Sequence, residues 1–534
     1  MNTELLLEEN KKLKRMLEEQ QSIIRKKDED INELKNKVAL LEILHFGPKS
    51  EKWTKIDKHQ SLLFNEAEDE VFKQNEPEQI ESAIEKQELG AYTRRKKNRN
   101  QGRKPISPDI PREEVVYDIK DEDKTCACGC ELTCIGSENT ERIKIKPAEV
   151  TVVVEKKLKY ACRNCEGIES DEPGVITAKG KKHLISGSIA DSSLLAWSIN
   201  EKYVFGLPLY RQEKRLSYIG APLPRATLAG LTIRASLECE ILYKLMEEHI
   251  KSGDIINADE TRLQVLKEKG REAQSLSWMW VFTGGPPDKK GVLFRYEPTR
   301  SHEVPYDFLK DYEGWLQTDD YEAYNTAIKK LNKSRKQAKK IKRVLCWFHA
   351  RSKYVKSWKV EKSEHAKEII STIGKLFELE YLRKDYSLKG FYKHRKNRAE
   401  VILEKLRKKL EGLYKSTPPK CELGKAISYT LSNWDLLILY LEHPLLTPSN
   451  NIAENAIRPF VIGRKNWLFS YTPKGARASA VLYSLVESAK LHNLNPYEYL
   501  YYIFERLPYL ETKEDYIKLL PFNLKPNDIK IKSE

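Results

Sequence analysis

The stretch DIINADETRLQVL (residues 254–266) has the apolar pattern of a buried β-strand, and this strand carries an acidic pair, Asp259 and Glu260. A run of apolar residues interrupted by adjacent carboxylates is unusual for a purely structural strand, because buried charges are costly unless they are paired or bind a cation. The stretch therefore predicts a sheet strand and also marks where a chemical site on that sheet would lie.

The segments that follow extend this strand into a sheet. LSWMWVFTGG (276–285) and GVLFRYEP (291–298) predict two more strands, and SHEVPYDFLKDY (301–312) predicts a helix. GWLQTDDYEAYN (314–325) and KRVLCWFHARSKYV (342–355) each predict a strand that leads into a helix. Three strands, a helix, a strand, a helix and a strand is the order of a ribonuclease-H-like fold, a mixed sheet with helices on both faces.

This order places two aspartates on neighbouring strands, Asp259 in the first and Asp319 at the end of the fourth. Neighbouring buried carboxylates repel and raise each other's pKa, and a divalent cation relieves the repulsion. Hard oxygen ligands suit Mg²⁺ or Mn²⁺. Two such ions could activate a hydroxyl or a water and stabilise the leaving oxygen in a phosphodiester displacement.

A third carboxylate is expected on a later helix that passes the sheet. The stretch SNNIAENAIRPFVIGRKNWLFSY (449–471) predicts such a helix, with Glu454 and Arg458 on one face. The competing interpretation is that Asp259, Asp319 and Glu454 are surface residues or helix caps, since acidic residues are abundant.

The charge of the chain indicates a polyanionic partner. Its 534 residues carry a formal net charge of +15, which favours nucleic acid, although a generally basic proteome would give the same balance. The basic residues are clustered, as in RRKKNRNQGRK (94–104) and IKKLNKSRKQAKKIKR (328–343). No apolar run approaches the roughly 20 residues of a membrane span, and the first residues carry no apolar signal region. We expect an unexported protein without a membrane partner.

Residues 1–45 predict a coiled coil. Asn10, Leu17, Ile24, Ile31 and Val38 fall on heptad position a, which favours a parallel two-stranded coiled coil and hence a homodimer or higher oligomer. A single amphipathic helix packed on the body is the alternative.

Residues 46–104 predict a charged linker that ends in NQGRKP. There Arg103 and Lys104 resemble an arm that enters a DNA minor groove, and a flexible basic tether is the alternative.

Bunched cysteines predict a structural zinc site in a small β unit. Cys162 and Cys165 form a C-x2-C knuckle. The other two ligands would come from Cys126, Cys128 and Cys130, and the sequence leaves open which two of these three bind. Alternating residues after 148 predict a β-hairpin beside them. Four thiolates would close a tetrahedral Zn²⁺ site; the alternative is reduced free thiols.

Residues 189–245 predict short helices broken by Gly206-Leu-Pro208 and Gly220-Ala-Pro222. The pattern is typical of a helix-turn-helix, whose second helix enters the major groove of DNA. Arg225 and Thr227 would lie at the N-terminal end of that second helix. An ordinary helical packing unit is the alternative.

Ordered motifs along almost the whole chain resemble one family. They are FGPKSEK, GRKPISPDIPREEVVYDI, YACRNCEG, EKYVFGLPLYRQEKRLSYIG, ADETRLQVL, LQTDDYEAYN, CWFHARSKY and the block from Asn450 to Lys490. Together they are similar to the transposases of the insertion sequence 66 family, a group of bacterial DDE transposases. The resemblance implies that Asp259, Asp319 and Glu454 are the catalytic, metal-binding acids. The family has Asp-Gly-Tyr at the second acid where this chain has Asp-Asp-Tyr, so Asp320 is a rival to Asp319.

The resemblance also implies roles for other residues. Arg458, Arg464 and Lys465 are expected to clamp phosphates. His349 and Arg351 are expected near the metals or the scissile phosphate, with a structural hydrogen-bonding role as the alternative for His349. Asn450 and Asn451 are expected to cap the helix of Glu454. Trp467 either packs in the core or stacks on a flipped base.

The predicted protein is a multidomain α/β transposase that binds the terminal inverted repeats of its element, cleaves DNA and joins the 3′ ends to a target. It would act on the bacterial nucleoid in the cytoplasm, and small accessory proteins of the same element are expected partners. The alternatives are an inactive DNA-binding regulator and a ribonuclease-H-type nuclease without strand transfer.

The predicted units are a coiled coil (1–45), linker (46–104), zinc domain (105–180), helix-turn-helix region (181–250), first core part (251–355), helical insertion (356–445), last core part (446–500) and tail (501–534).

Overall fold

The computed structural model describes residues 150–161, 175–333, 335–336 and 340–531, together with scattered positions between 14 and 38. Within them, strand β1 (Lys159–Ala161) pairs antiparallel with β2 (Val175–Thr177). This is the part of the predicted hairpin that the structure describes; residues 151–158 before it have no regular structure.

Four helices follow, where the sequence predicts short helices with breaks. They are α1 (Ser192–Tyr203), α2 (Leu209–Tyr218), α3 (Arg225–Glu238) and α4 (Glu240–Lys251). The breaks come where predicted, because Gly206 and Gly220 adopt positive φ angles of 66° and 81°, which side chains with a Cβ rarely accept. These helices share one hydrophobic core with the sheet that follows, so Leu231 and Ala235 belong to the same buried cluster as Val281.

The sheet confirms the predicted strand order. Its strands are β3 (Ile255–Gln264), β4 (Leu276–Gly284), β5 (Gly291–Glu297), β6 (Trp315–Thr318) and β7 (Lys342–Leu345). They lie in the order β5-β4-β3-β6-β7, with β3–β4 and β4–β5 antiparallel and β3–β6 and β6–β7 parallel. The sheet is therefore mixed, as predicted.

The connecting helices cover one face of this sheet, while Val281 on the other face belongs to the core shared with α3. The connections contribute α5 (Glu303–Leu309) and α6 (Glu322–Lys333). Phe308 of α5 stacks on Phe282 with ring centroids 3.7 Å apart, and Tyr324 of α6 meets Trp280 edge to face. Phe282 and Trp280 point to one face of β4, since side chains two apart share a face. Because both faces are covered, β4 is buried almost continuously from Met279 to Gly284.

Between β7 and the next core helix the chain forms a helical unit. Its helices are α7 (Trp347–Glu361), α8 (Glu364–Tyr381), α9 (Leu388–Ser416), α10 (Glu422–Ser432) and α11 (Trp434–Ile438). The buried Arg395 of α9 donates hydrogen bonds to the carbonyl oxygens of Leu446, Tyr440 and His443, at 2.5, 3.2 and 2.8 Å. This cation therefore fixes the segment through which the chain returns to the sheet.

The remaining helices complete the core. They are α12 (Asn451–Trp467), α13 (Pro473–Leu491), α14 (Pro496–Arg506) and α15 (Lys513–Lys518). Helix α13 covers the edge strand β5: the Ser484 and Ser488 hydroxyls accept hydrogen bonds from the backbone of Phe294 (2.8 Å) and Val292 (2.9 Å). Edge strands expose unpaired donors, so these two serines close the sheet on that side.

Several predicted features lie outside the described residues. They are the linker with Arg103 and Lys104, and the zinc candidates Cys126, Cys128, Cys130, Cys162 and Cys165. In the predicted coiled coil only scattered positions are described; these are helical, and Leu17, Ile31, Leu34 and Val38 among them are exposed. Within the part of the chain that is described, no helix is long and apolar enough to cross a membrane.

Candidate active site

The first acid, Asp259, lies in strand β3, and the second, Asp319, directly follows the adjacent parallel strand β6. Asn257 pairs with Gln317, and Asp259 and Asp319 each follow two residues later. Strand β6 ends at Thr318, while β3 continues past Asp259. Because parallel strands keep their register, the two aspartates lie level with each other at the point where β6 stops.

The register of β3 against β4 shows which face Asp259 uses. Asp259 pairs with Val281 and Glu260 with Trp280, so the two carboxylates point to opposite faces. Glu260 faces α6, where it accepts a hydrogen bond from the Tyr324 hydroxyl. Asp259 faces the other way, toward α12.

Helix α12 brings Glu454 to that second face. The helix starts at Asn451, and Glu454 lies in its first turn. The start is fixed to β3 by Asn450, whose side chain accepts a hydrogen bond from Asn257 Nδ2 (3.1 Å) and donates one to the Ala258 carbonyl (2.9 Å). Asn450 occupies the predicted cap position, but its side chain joins the helix to the strand and makes no capping hydrogen bond.

The charges of these three acids affect one another's ionisation. Burial is the main reason why the pKa of Asp259 lies well above its usual range. The negative charges of Glu260, Glu454 and Asp319 raise this pKa further. A hydrogen bond from the Glu260 backbone N–H (2.8 Å) opposes this rise. Burial also raises the pKa of Glu454, with the charge of Asp319 adding to it and His349 and Arg458 opposing it. Such a group of carboxylates resists full ionisation unless a cation joins it.

The two adjacent aspartates at the end of β6 have different partners. Asp319 accepts a hydrogen bond from the Tyr321 backbone N–H (3.1 Å) and interacts with the charges of Asp259 and Glu454. Asp320 is exposed, accepts a hydrogen bond from Asn433 (2.9 Å) and lies 3.7 Å from the Arg343 guanidinium. The geometry thus favours Asp319 over Asp320 as the second acid.

Glu260 belongs to a supporting cluster on the opposite face. It is buried, and its Oε1 accepts hydrogen bonds from both Nε and Nη2 of Arg300, whose guanidinium lies 3.7 Å from the Tyr321 ring centroid. Burial raises the pKa of Glu260, while Tyr324 and Arg300 oppose the rise. Because Tyr321 also bonds Asp319, this cluster connects β3 to the loop that carries the second acid.

A further cluster surrounds Glu454. Cys346 precedes α7, His349 lies in its first turn, and one ligand atom from each of Cys346, His349 and Glu454 lies within 4.8 Å of the others. His349 Nδ1 and Glu454 Oε1 are buried and have no hydrogen-bond partner among the described residues. Burial raises the pKa of the Cys346 thiol to about 12. These orphaned atoms fit a divalent cation bound at this centre.

Sequence reasoning missed a cluster of buried amides beneath the acids. Asn257 donates to Gln317 Oε1 (3.0 Å) as well as to Asn450, and Gln317 donates to the Thr447 carbonyl (2.6 Å). The available signal was the polar residue two positions before each aspartate, inside an otherwise apolar strand. These amides tie three separate chain segments together at the level of the acids.

The predicted DNA-contacting residues have different environments. Arg225 and Thr227 are exposed at the start of α3, and Lys465 is exposed on α12. Arg464 is half-buried and donates to Thr261 (3.2 Å) and to the Arg262 carbonyl, so part of its guanidinium serves to hold α12 on β3.

Two further residues named from the sequence are buried or partly buried. Arg351 on α7 is only 4% exposed, and its expected place near the metals or the scissile phosphate stays a prediction. Trp467 packs against the core with its ring 5.3 Å from that of Phe460, which confirms packing over base stacking.

Comparisons with known protein families agree with this architecture. A model described as Transposase IS66 family matches residues 187–478, more than half of the chain, and one described as IS66 C-terminal element matches residues 484–522. The zinc-finger binding domain of transposase IS66 matches residues 123–166, and Transposase C of IS166 homeodomain matches residues 33–115. The last two support DNA-binding and zinc-finger regions before the sheet.

Relatives are found in Sinorhizobium fredii (strain NBRC 101917 / NGR234). The uncharacterized protein y4jD is 30% identical over 430 residues, which cover 79% of this chain and 81% of y4jD. The uncharacterized protein y4qI is 28% identical over 465 residues, which cover 85% of each. With the family models, these similarities establish that the chain belongs to the IS66 family of transposases.

Proposed function

We propose that the chain is a DDE transposase of a bacterial insertion sequence. It would bind the terminal inverted repeats of its element, cut the DNA there and join the freed 3′ ends to target DNA. The observation that carries the proposal is the convergence of Asp259, Asp319 and Glu454 from two strands and one helix. The strand order β5-β4-β3-β6-β7 supports a ribonuclease-H-like catalytic core.

The three carboxylates would hold divalent cations, Mg²⁺ or Mn²⁺. Their oxygen donors suit such ions, and the raised pKa values of Asp259 and Glu454, caused mainly by burial, support a site that would take up positive charge. Two bound ions would activate a water or a 3′-hydroxyl and stabilise the departing oxygen of the phosphodiester. This chemistry accounts for both cutting and joining with one set of acids.

The other residues of the site would keep these acids in place. Asn257 and Asn450 set the distance between β3 and α12, and hence between Asp259 and Glu454. Arg343 is buried and donates to the Asp319 backbone carbonyl (2.7 Å) and to Thr318 (3.3 Å), so it holds the end of β6. Positioning of this kind reduces the reorganisation needed when substrate binds.

DNA would approach the face that carries α12. Arg458 and Lys465 lie on that helix, and exposed Leu468, Phe469 and Tyr471 follow it. Cations beside a catalytic centre are the usual means of binding a phosphodiester backbone. Arg225 and Thr227, exposed at the start of α3, would contact the element ends, together with Arg103 and Lys104.

The N-terminal regions would supply the remaining binding functions. Zn²⁺ held by four of Cys126, Cys128, Cys130, Cys162 and Cys165 would stabilise the zinc-finger unit. The exposed apolar residues Leu17, Ile31, Leu34 and Val38 are the predicted contact positions of a coiled coil. A dimer formed there would bring two element ends together.

An assay on DNA that carries the element end tests the proposal. Wild-type protein with Mn²⁺ should nick the end and give joined products with a target plasmid, while Asp259→Ala should give neither. Equal cutting by both proteins would refute the site. Binding without cutting by wild type would favour the inactive regulator, and cutting without joined products would favour a nuclease.

A further inference from the structure

Two helix starts meet beside the acids and are joined by hydrogen bonds. The Trp347 backbone N–H, at the start of α7, donates to the Pro448 carbonyl (2.8 Å). The Asn450 backbone N–H, just before α12, donates to Cys346 Sγ (3.1 Å). These bonds fix the first turn of α7, with His349, against the first turn of α12, with Glu454.

His349 and Glu454 face each other with unused hydrogen-bonding capacity. Nδ1 of His349 and Oε1 of Glu454 are both buried, and the structure shows no hydrogen-bond partner for either atom among the residues it describes. A ring nitrogen of His349 and a carboxylate oxygen of Glu454 lie within 4.8 Å of each other. Unpaired buried polar atoms are costly, and a cation bound between them would satisfy both.

We propose that His349 is a nitrogen ligand of a divalent cation that Glu454 also binds. The inference rests on the proposed function only in assigning Glu454 to the metal centre. It gives that centre a mixed nitrogen and oxygen donor set in place of carboxylates alone. Imidazole suits transition metals better than Mg²⁺, so the centre should prefer Mn²⁺ and Co²⁺ over Mg²⁺.

Cys346 has a different role in this arrangement. Its sulfur is fully buried and already accepts the Asn450 backbone N–H, so it serves to hold the start of α12. We therefore expect it to remain a thiol that does not bind the cation. The competing arrangement for His349 is a direct hydrogen bond to Glu454 without any cation between them.

Electron spin echo spectroscopy of bound Mn²⁺ separates these arrangements, because it detects nitrogen nuclei bonded to the ion. The full-length protein, supplied with only one equivalent of zinc for its zinc-finger unit, is loaded with Mn²⁺ in the absence of DNA. We expect a nitrogen coupling in wild type that is lost in His349→Gln and kept in His365→Gln, a histidine exposed on α8. A wild-type spectrum without nitrogen coupling, or a coupling that survives in His349→Gln, would overturn the proposal.

A second variant keeps the test decisive if His349→Gln folds poorly. His349→Asp replaces the nitrogen donor with oxygen, so it should bind Mn²⁺ without nitrogen coupling and shift the metal preference toward Mg²⁺. With Co²⁺ in place of Mn²⁺, an intense sulfur charge-transfer band that disappears in Cys346→Ser would contradict the donor set. None of these readouts needs DNA cleavage, so a failure of the transposase proposal would be seen separately.

Discussion

Asn257 on strand β3 donates a hydrogen bond to the side chain of Asn450 at the start of helix α12, over 3.1 Å. The two residues are 193 positions apart in the sequence, and the whole helical unit α7–α11 lies between them. Asn450 is 1% exposed, and its second bond goes to the Ala258 carbonyl, directly before Asp259. One side chain thus sets the distance between the strand of the first acid and the helix of the third.

Replacing Asn450 with Ala should therefore affect both stability and activity. The change removes two buried hydrogen bonds and leaves Asn257 without one of its acceptors, at a cost of about 1–3 kcal/mol. We expect urea unfolding to show this loss and cleavage to fall further than the unfolded fraction explains. Asn455→Ala, at an exposed position of the same helix, is the matched control and should change neither quantity.

Removing only one partner of the ion pair between Arg300 and Glu260 should lower the free energy of unfolding more than replacing both. Arg300→Met leaves Glu260 buried without its cation, which should cost about 3 kcal/mol, the lower end of the range because Arg300 is partly exposed. The double variant Arg300→Met/Glu260→Gln should recover much of that stability. Chemical denaturation of all four proteins measures the coupling, and additive losses would show that the pair is not an energetic unit.

Stability without divalent cations should depend on the ionisation of Asp259. Its pKa in the folded protein lies above the unfolded value near 4, so folding favours the protonated form. The stability this provides is complete at low pH and is lost as pH rises through the folded pKa. Asp259→Asn should consequently melt a few degrees higher than wild type at pH 8 and equally at pH 4.

Adding Mn²⁺ at pH 8 should reverse that order, because a cation stabilises the state that binds it. A melting temperature of Asp259→Asn that rises equally with Mn²⁺ would place the cation elsewhere.

The exposed apolar positions near the N-terminus should hold the oligomer together. Ile31 and Val38 are 47% and 55% exposed, which a coiled-coil partner would cover. Replacing both with Ser should convert dimers to monomers in sedimentation velocity. Replacing Lys14 and Gln21, which are exposed and lie outside heptad positions a and d, should leave the mass unchanged. A wild-type monomer at micromolar concentration would exclude this role.

The sequence predicts the strand order of the sheet and the positions of Asp259 and Asp319 along it, because both follow from the local pattern of apolar and polar residues. Asp259 and Asp319 need only adjacent parallel strands to come together. Features that depend on distant partners could not be predicted in the same way. Asn450 follows the sequence pattern of a helix cap, and only the folded chain brings Asn257 to its side chain.

Asp320 shows the same limit at closer range. It is adjacent to Asp319 in the sequence, but its side chain contacts Asn433 and Arg343, which lie far along the chain in the turn after α10 and in strand β7. The family motif could rank these aspartates, but the physical reason for the ranking required the folded chain.

The most direct measurement is single-turnover cleavage of element-end DNA with Mn²⁺ by four matched variants. Asp259→Asn, Asp319→Asn and Glu454→Gln each remove one charge from the proposed centre, while Asp320→Asn removes a neighbouring charge that binds Asn433 and Arg343. We predict losses on the order of a thousandfold or more for the first three, and near wild-type cleavage for Asp320→Asn. Cleavage that survives in any of the first three, or is lost only in Asp320→Asn, would contradict the account.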